Sequence, residues 1–376
     1  MLLKLTTSTR YVLLVLLLVL GIHSILSFTH EDYGRATSLS QTAAKLSWGS
    51  NDALDSIPDE YFYHELEPTP YNVTRRANAT MLMLARNSDL DGAMRSVREL
   101  EDRFNRRCRY PWVFLNDEEF SDYNVVSGPV LFGLVPREHW VQPDWIDEDR
   151  ARESRDKMVE NNIIYVMCRF NSGFFYRHPL LQQYKWSWQV EPDVHFHCDI
   201  EFDPFAYMED NDKIYGFTIT MYEYEATIPT LWETIKFTRL HPEYVSPNNA
   251  MGYLSDNNGN TYNLCPCKPA LWSNFEIASM DLWRGEAYSK YFDFLDSKGG
   301  FNYERWGDAP VHSIAAALFA RKDQIQFFDE IGYEHNPYTH CPRGPGKWAR
   351  GRCACDAGRS FDYDGYSSMR QWDRVQ

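Results

Sequence analysis

Residues 79–115 read ATMLMLARNSDLDGAMRSVRELEDRFNRRCRYPWVFL, and the fold turns on this stretch. Met81, Leu82, Met83, Leu84 and Ala85 make an apolar run of strand length, after which Asn87, Ser88 and Asp89 supply side chains suited to capping a helix. Over residues 90–107 the apolar side chains Leu90, Met94, Val97, Leu100 and Phe104 recur at helical spacing, which predicts an amphipathic helix. A second strand follows at 110–115 and ends in Asn116 and Asp117. Strands joined through a crossover helix run parallel, so this unit predicts an α/β domain with a largely parallel sheet.

Downstream, 130–135, 186–190 and 215–221 read as further strands. Residues 147–161 form a charged surface helix, and 308–321 a helix with Val311, Ile314, Ala315 and Leu318 inward. The last 35 or so residues carry Gly, Arg and Cys without periodicity and read as a disulfide-tied wrap. Neither G-x-G-x-x-G nor G-x-x-x-x-G-K-[ST] is present, so phosphate binding has to go through a metal or side chains.

Upstream, residues 29–75 lack sustained periodicity and predict a stem. Residues 11–28 are uncharged and mostly apolar, with Lys4 and Arg10 before them and Glu31 and Asp32 after. That pattern predicts a membrane-spanning signal anchor with 1–10 cytoplasmic and the body, 76–376, lumenal; a cleaved signal peptide is the rival. Two N-glycosylation sequons, at Asn72 and Asn78, and eight cysteines fit an oxidising lumen. The C-x-C pairs at Cys265/Cys267 and Cys353/Cys355 offer zinc as an alternative to disulfides, at a spacing tighter than the usual knuckle. With 38 Lys+Arg against 53 Asp+Glu the net charge is −15, which argues against a nucleic-acid partner, and 44% hydrophobic residues mark a folded chain.

Several acidic groups stand where strands end, the usual ligand edge of an α/β sheet. Glu191 and Asp193 flank Pro192 after the 186–190 strand; they suit a divalent cation on a diphosphate, or form a solvated acidic turn. His195 and His197, beside Cys198 and Asp199, allow a metal cluster or simple strand alternation. Glu223 and Glu225 would share one strand face, for metal or hydroxyl binding or as edge decoration. Glu276 lies among aromatics in WSNFE, as a nucleophile or base of glycosyl transfer would, or as an acid at a helix start. Asp308 opens a helix and can cap it, bind an acceptor hydroxyl, or do both. His335 is a lone histidine in a turn.

The runs RANATMLMLARNSDL (76–90), YPWVFLNDEEF (110–120), CRFNSGFF (168–175), CDIEFDPF (198–205), YEYEATIPTLW (222–232), WSNFEI (272–277) and ERWGDAPVHSIAAALF (304–319) are specific enough to name. The chain resembles the fungal α-1,2-mannosyltransferases of glycosyltransferase family 15 over about Arg76 to Gly365. The resemblance implies a GT-A type fold with a mixed, largely parallel sheet, and a type II Golgi enzyme that moves mannose from GDP-mannose to a mannoside acceptor with retention, using Mn2+. It implies Glu276 as nucleophile, Glu223 and His335 as metal ligands, Glu191 and Asp193 as the diphosphate and metal motif, and Asp308 as an acceptor-side or catalytic carboxylate. Arg169 and Arg305 are candidates for the local positive charge that meets the donor diphosphate.

This chain departs from the family pattern twice. Ile163, Ile164, Tyr165 and Val166 run straight into Met167, without the Gly-Ser-Tyr loop of the family, and 266–271 is longer and adds Cys267. These departures raise an alternative, a weakened relative that binds mannosides or a partner in the lumen; a glycoside hydrolase using the same carboxylates is a third reading.

Overall fold

The computed structural model describes Gly21 and residues 57–63, 75–120, 126–158, 162–231, 235–255 and 269–376. The predicted tail and anchor (Gly21 apart), the Asn72 sequon, Cys265 and Cys267 lie outside the described residues. Among the described residues no helix is long and apolar enough to cross a membrane.

The predicted βαβ unit is present. Strand β1 (Ala79–Leu84) leads into helix α1 (Leu90–Leu100) and returns as β2 (Trp112–Asn116), parallel to β1. The helix does not run on as one α-helix to 107. A wider π turn, Glu101–Asn105, interrupts it, and a left-handed Arg109 (φ 53°) ends it. Glu101 is thereby buried, where it accepts hydrogen bonds from Trp112 Nε1 (2.7 Å) and Asn105 Nδ2 (2.6 Å). Apolar periodicity alone does not reveal a buried carboxylate that rewinds a helix.

The main sheet adds β3 (Val130–Leu134), β4 (Trp186–Val190), β6 (Tyr215–Phe217), β9 (Phe275–Ser279) and β10 (Ile325–Phe327) in the order β10-β6-β9-β4-β1-β2-β3. Strand β9 alone runs antiparallel to its neighbours, β4 and β6, so the sheet is mixed and largely parallel. Alternating side chains bury both faces: Leu82, Leu84, Val113 and Leu115 on one, Met81, Met83, Trp112 and Phe114 on the other. The first face packs under helices α3 (Asn162–Gly173), α4 (Glu286–Asp296) and α5 (Asp308–Phe319), α2 being the charged Glu148–Met158.

The run 215–221 is not one strand. After β6 the chain crosses to a second, two-stranded sheet, in which β7 (Thr220–Tyr222) pairs with β8 (Pro269–Leu271). A third sheet joins β5 (Val194–Phe196), β11 (Tyr333–His335) and β12 (Tyr338–His340). The C-terminal wrap is tied by Cys198–Cys353 and Cys341–Cys355, so the Cys353/Cys355 pair serves two separate disulfides rather than one metal knuckle. Its segment at Tyr366 and Ser367 lies along the free edge of β7, where Tyr222 N donates to Tyr366 O at 3.1 Å. Residues 57–63, within the predicted stem, pack on the body through a Phe62–Phe202 bridge and an Arg350–Asp59 ion pair at 2.8 Å.

Candidate active site

Because β9 is antiparallel, its first residues meet the last residues of β4: Val190 faces Phe275, and Gln189 faces Glu276. This brings Glu276, in β9, to the same sheet edge as Glu191, just past β4. The turn into β9 is fixed by Tyr333, whose hydroxyl donates to Asn274 O at 3.0 Å.

Glu276 is 2% exposed. Tyr215 pairs with Ala278 across β6 and β9, so its ring shares a face with Glu276 and its hydroxyl donates to Glu276 Oε2 at 2.9 Å. His312, on the buried face of α5, donates from Nδ1 to the same oxygen at 2.7 Å. Among the described residues no hydrogen bond reaches Oε1, which leaves that oxygen for chemistry. Burial opposes a charge on His312, but the adjacent Glu276 carboxylate outweighs it and the imidazole pKa is raised. Burial, reinforced by Glu276, also holds the Tyr215 phenol far above its ordinary value.

Asp308 stands one turn before His312. It does not cap its helix: Gly307 occupies the N-cap position, and Asp308 Oδ2 instead accepts a hydrogen bond from Ser273 Oγ at 2.8 Å. Enclosure of its carboxyl, against the opposing His312 charge and with help from Glu191, pushes its pKa up to about 6. Cys168 shares this space. Burial first and the Asp308 charge next raise its thiol pKa, while Arg305 opposes them.

Glu191 and His335 converge, with His335 Nε2 3.5 Å from Glu191 Oε2 and both side chains about one-third exposed. Burial lowers and Glu191 raises the His335 pKa, with a net rise. A carboxylate oxygen and an imidazole nitrogen are donors that suit Mn2+, so the pair fits such an ion. Glu223 follows β7 and lies along the same wall: Trp272 packs on His335 (ring centroids 4.9 Å) and on Tyr338 (5.7 Å), and Tyr338 on Tyr366 (6.3 Å), which feels the Glu223 charge. Glu223, Glu191 and His335 are not drawn within mutual ligating distance; among the described residues the one such group of three is cysteine, and it is disulfide-bonded.

The other sequence candidates take different places. Asp193 adopts a left-handed backbone (φ 60°), pairs with Arg95 of α1 and packs over Gly92, where a Cβ would meet its carboxylate at 2.5 Å. Arg169 makes a two-pronged ion pair with Asp296 of α4, at 2.7 and 2.8 Å, and is 7% exposed. Arg305 donates its backbone N–H to Thr227 O at 2.8 Å, and its charge acts on both Cys168 and Tyr366. His195 and His197 each pair with a carboxylate, Glu99 and Glu334, at 2.8 Å, rather than with each other through a metal. Arg169→Met is expected to cost about 3 kcal/mol in urea unfolding by stranding Asp296, with the donor KM unchanged. An unchanged stability and a raised donor KM would return Arg169 to a ligand role.

Two residues that complete the site, Tyr215 and His312, were not singled out as site residues from the sequence. His312 had a signal: a polar ring four residues after Asp308 on an otherwise apolar helix face. Tyr215 had none, because its reach to Glu276 depends on the register of two strands about 60 residues apart.

A family model described as glycolipid 2-alpha-mannosyltransferase matches residues 40–376. Alpha-1,2 mannosyltransferase KTR1 of Saccharomyces cerevisiae is 47% identical over 375 residues, covering 96% of this chain and 92% of that protein. Glycolipid 2-alpha-mannosyltransferase 2 of Candida albicans is 52% identical over 311 residues, 79% of this chain and 67% of that one. Among solved structures, the mannosyltransferase Ktr4p of S. cerevisiae in complex with GDP matches with a TM-score of 0.78 and 37% identity, covering 89% of this chain and 90% of that one. Core-mannan synthase A of Aspergillus fumigatus, in a Mn/GDP form, matches with a TM-score of 0.70 and 36% identity, over 85% and 88%. From the family match and these identities, the chain belongs to the glycolipid 2-alpha-mannosyltransferase family, glycosyltransferase family 15.

Proposed function

We propose that the protein is a GT-A type, retaining α-1,2-mannosyltransferase that takes mannose from GDP-mannose and passes it to a mannose-terminated acceptor of a protein-linked or lipid-linked glycan. The observation that carries this reading is Glu276: a buried carboxylate with both hydrogen-bond donors on one oxygen, set at the ligand edge of the sheet beside Asp308. In this reading residues 11–28 anchor the chain as a type II protein of the Golgi membrane, with 29–75 as stem and 76–376 as the lumenal catalytic domain.

Glu191 and His335 would hold Mn2+, with Glu223 and Asp193 as further acidic groups on that side of the cleft. When bound, the ion neutralises charge on the departing diphosphate. The chain's own residues do the rest. Glu276 presents Oε1 to the anomeric carbon and stabilises the oxocarbenium-like centre, and Tyr215 and His312 keep the carboxylate from turning. Asp308, held by Ser273, takes the proton of the acceptor hydroxyl; a pKa near 6 suits a base at neutral pH better than an ordinary aspartate does. Trp272, Tyr338 and Tyr366 offer faces on which sugar rings stack.

The test is the product made from GDP-mannose and methyl α-mannoside with Mn2+, read by NMR. An α-1,2-linked disaccharide is expected. A β-linked product would sink the retaining mechanism, and mannose release indifferent to GDP would show a hydrolase. Tight GDP binding without any product would favour the mannoside-binding alternative. It would also direct attention to the departure before Met167, where the structure has the continuous helix α3.

A further inference from the structure

We propose that His312 is a positioning residue of the transfer reaction, a constitutive imidazolium that pairs with the Glu276 carboxylate through Oε2 and leaves Oε1 for the sugar. The inference rests on the function proposed above and adds a fixed positive charge, with its own pH signature, to a side chain already seen to hold Glu276.

His312 Nδ1 lies 2.7 Å from Glu276 Oε2, and Nε2 lies 3.2 Å from the carbonyl oxygen of Asn171 on α3. The Asn171 carbonyl and an ionised Glu276 carboxylate both only accept. A neutral imidazole carries one N–H, so one nitrogen would set its lone pair against an oxygen in a site that is 1% exposed. An imidazolium satisfies both contacts. Its surroundings support a cation: Trp283 stacks on the ring at 4.4 Å between centroids and 28° between planes, with Tyr288 and Phe175 about 6 Å away.

The ionisable groups that face His312 are Glu276 from β9, Asp308 from its own helix, Tyr288 from α4 and, across Glu276, Tyr215 from β6. Among the described residues His312 is the only cationic partner of Glu276. The imidazolium supplies the counter-charge that a buried carboxylate needs, and by occupying Oε2 together with Tyr215 it fixes which oxygen reacts. The same charge acts on Asp308, drawing its pKa down from where burial alone would leave it.

The test has two arms. In histidine-labelled full-length protein, 15N NMR of the ring nitrogens, assigned by the signal missing in His312→Gln, is expected to show both protonated from pH 6 to pH 8.5. His312→Gln keeps one donor toward Oε2 and removes the charge. Its kcat is expected to fall about 100-fold, with the GDP-mannose KM little changed and the acid limb of the kcat–pH profile moved to higher pH by about one unit or more. A merely structural role would lower the melting temperature and leave that limb in place. A neutral His312 at pH 7.5, or an unmoved acid limb in a folded variant, overturns the proposal. If His312→Gln does not fold, the wild-type titration decides, with peaks assigned from the other histidine variants. Wild-type protein that transfers no mannose refutes the function proposed above, and the NMR arm still answers for the imidazolium.

Discussion

Glu276→Gln is expected to lower mannosyl transfer by about 10^3-fold or more and to leave GDP binding nearly intact. The substitution keeps size and shape. The amide oxygen can still accept from Tyr215 and His312, so the contacts at Oε2 survive while the negative charge facing the sugar is gone. The imidazole then loses its counter-ion inside an aromatic box, and stability should fall by up to about 3–5 kcal/mol. Single-turnover kinetics, with GDP affinity as the check on folding, separate the two effects. A variant that keeps a tenth of wild-type transfer would remove Glu276 from the chemistry.

Asp308→Asn is expected to act in opposite directions on rate and on stability. Transfer should drop by about 10^2–10^4-fold, the usual worth of a positioned base, because an amide cannot take the acceptor proton. Stability should rise. The Asp308 pKa is about 6 in the folded protein, above its ordinary 3.8. The folded state therefore holds this proton more tightly than the unfolded chain does, and ionising it weakens the fold as pH climbs from about 4 to about 6. Since Asp308 keeps partial solvent contact, the cost above pH 6 is about 2 kcal/mol rather than the full value of the shift. Asparagine carries no such cost and can still accept from Ser273. Denaturation curves of the metal-free proteins should separate by that amount at pH 7 and converge below pH 4. A variant less stable than wild type at pH 7 would contradict this account of Asp308.

The sequence was informative where one element carries its own signal. The run 79–115 contains two apolar strands and a helix with apolar residues at helical spacing, and the structure contains the same unit. The end of β4 was equally legible, because an acid just after an apolar strand stands out, as Glu191 does; Glu276 stands out as a carboxylate among aromatics and Asp308 as an acid opening a helix. What stayed hidden depended on contacts between distant segments. Nothing near Thr218 or Ile219 announces that the chain leaves one sheet for another, since 215–222 (YGFTITMY) carries no charge and no proline and keeps strand-forming residues on both sides of the crossing. Arg169 reads as a free cation until Asp296, 127 residues away, comes to meet it. Asp308 reads as a cap because aspartate commonly caps helices, and only the approach of Ser273 shows another partner. The antiparallel β9 is the largest such effect: it brings Glu276 beside Glu191, and the local pattern of FEIAS does not give its direction.

The most direct measurement is GDP release from GDP-mannose by residues 30–376, the portion proposed to be lumenal, in the presence of methyl α-mannoside. It would be made with Mn2+ and with EDTA, for wild type and for Glu276→Gln. The expected result is acceptor-dependent GDP release in wild type, abolished by EDTA and restored by Mn2+, and reduced about 10^3-fold in the variant while GDP still binds. Release that continues undiminished in EDTA, or at a comparable rate in Glu276→Gln, would contradict the assignment of this buried carboxylate as the centre of a metal-assisted mannosyl transfer.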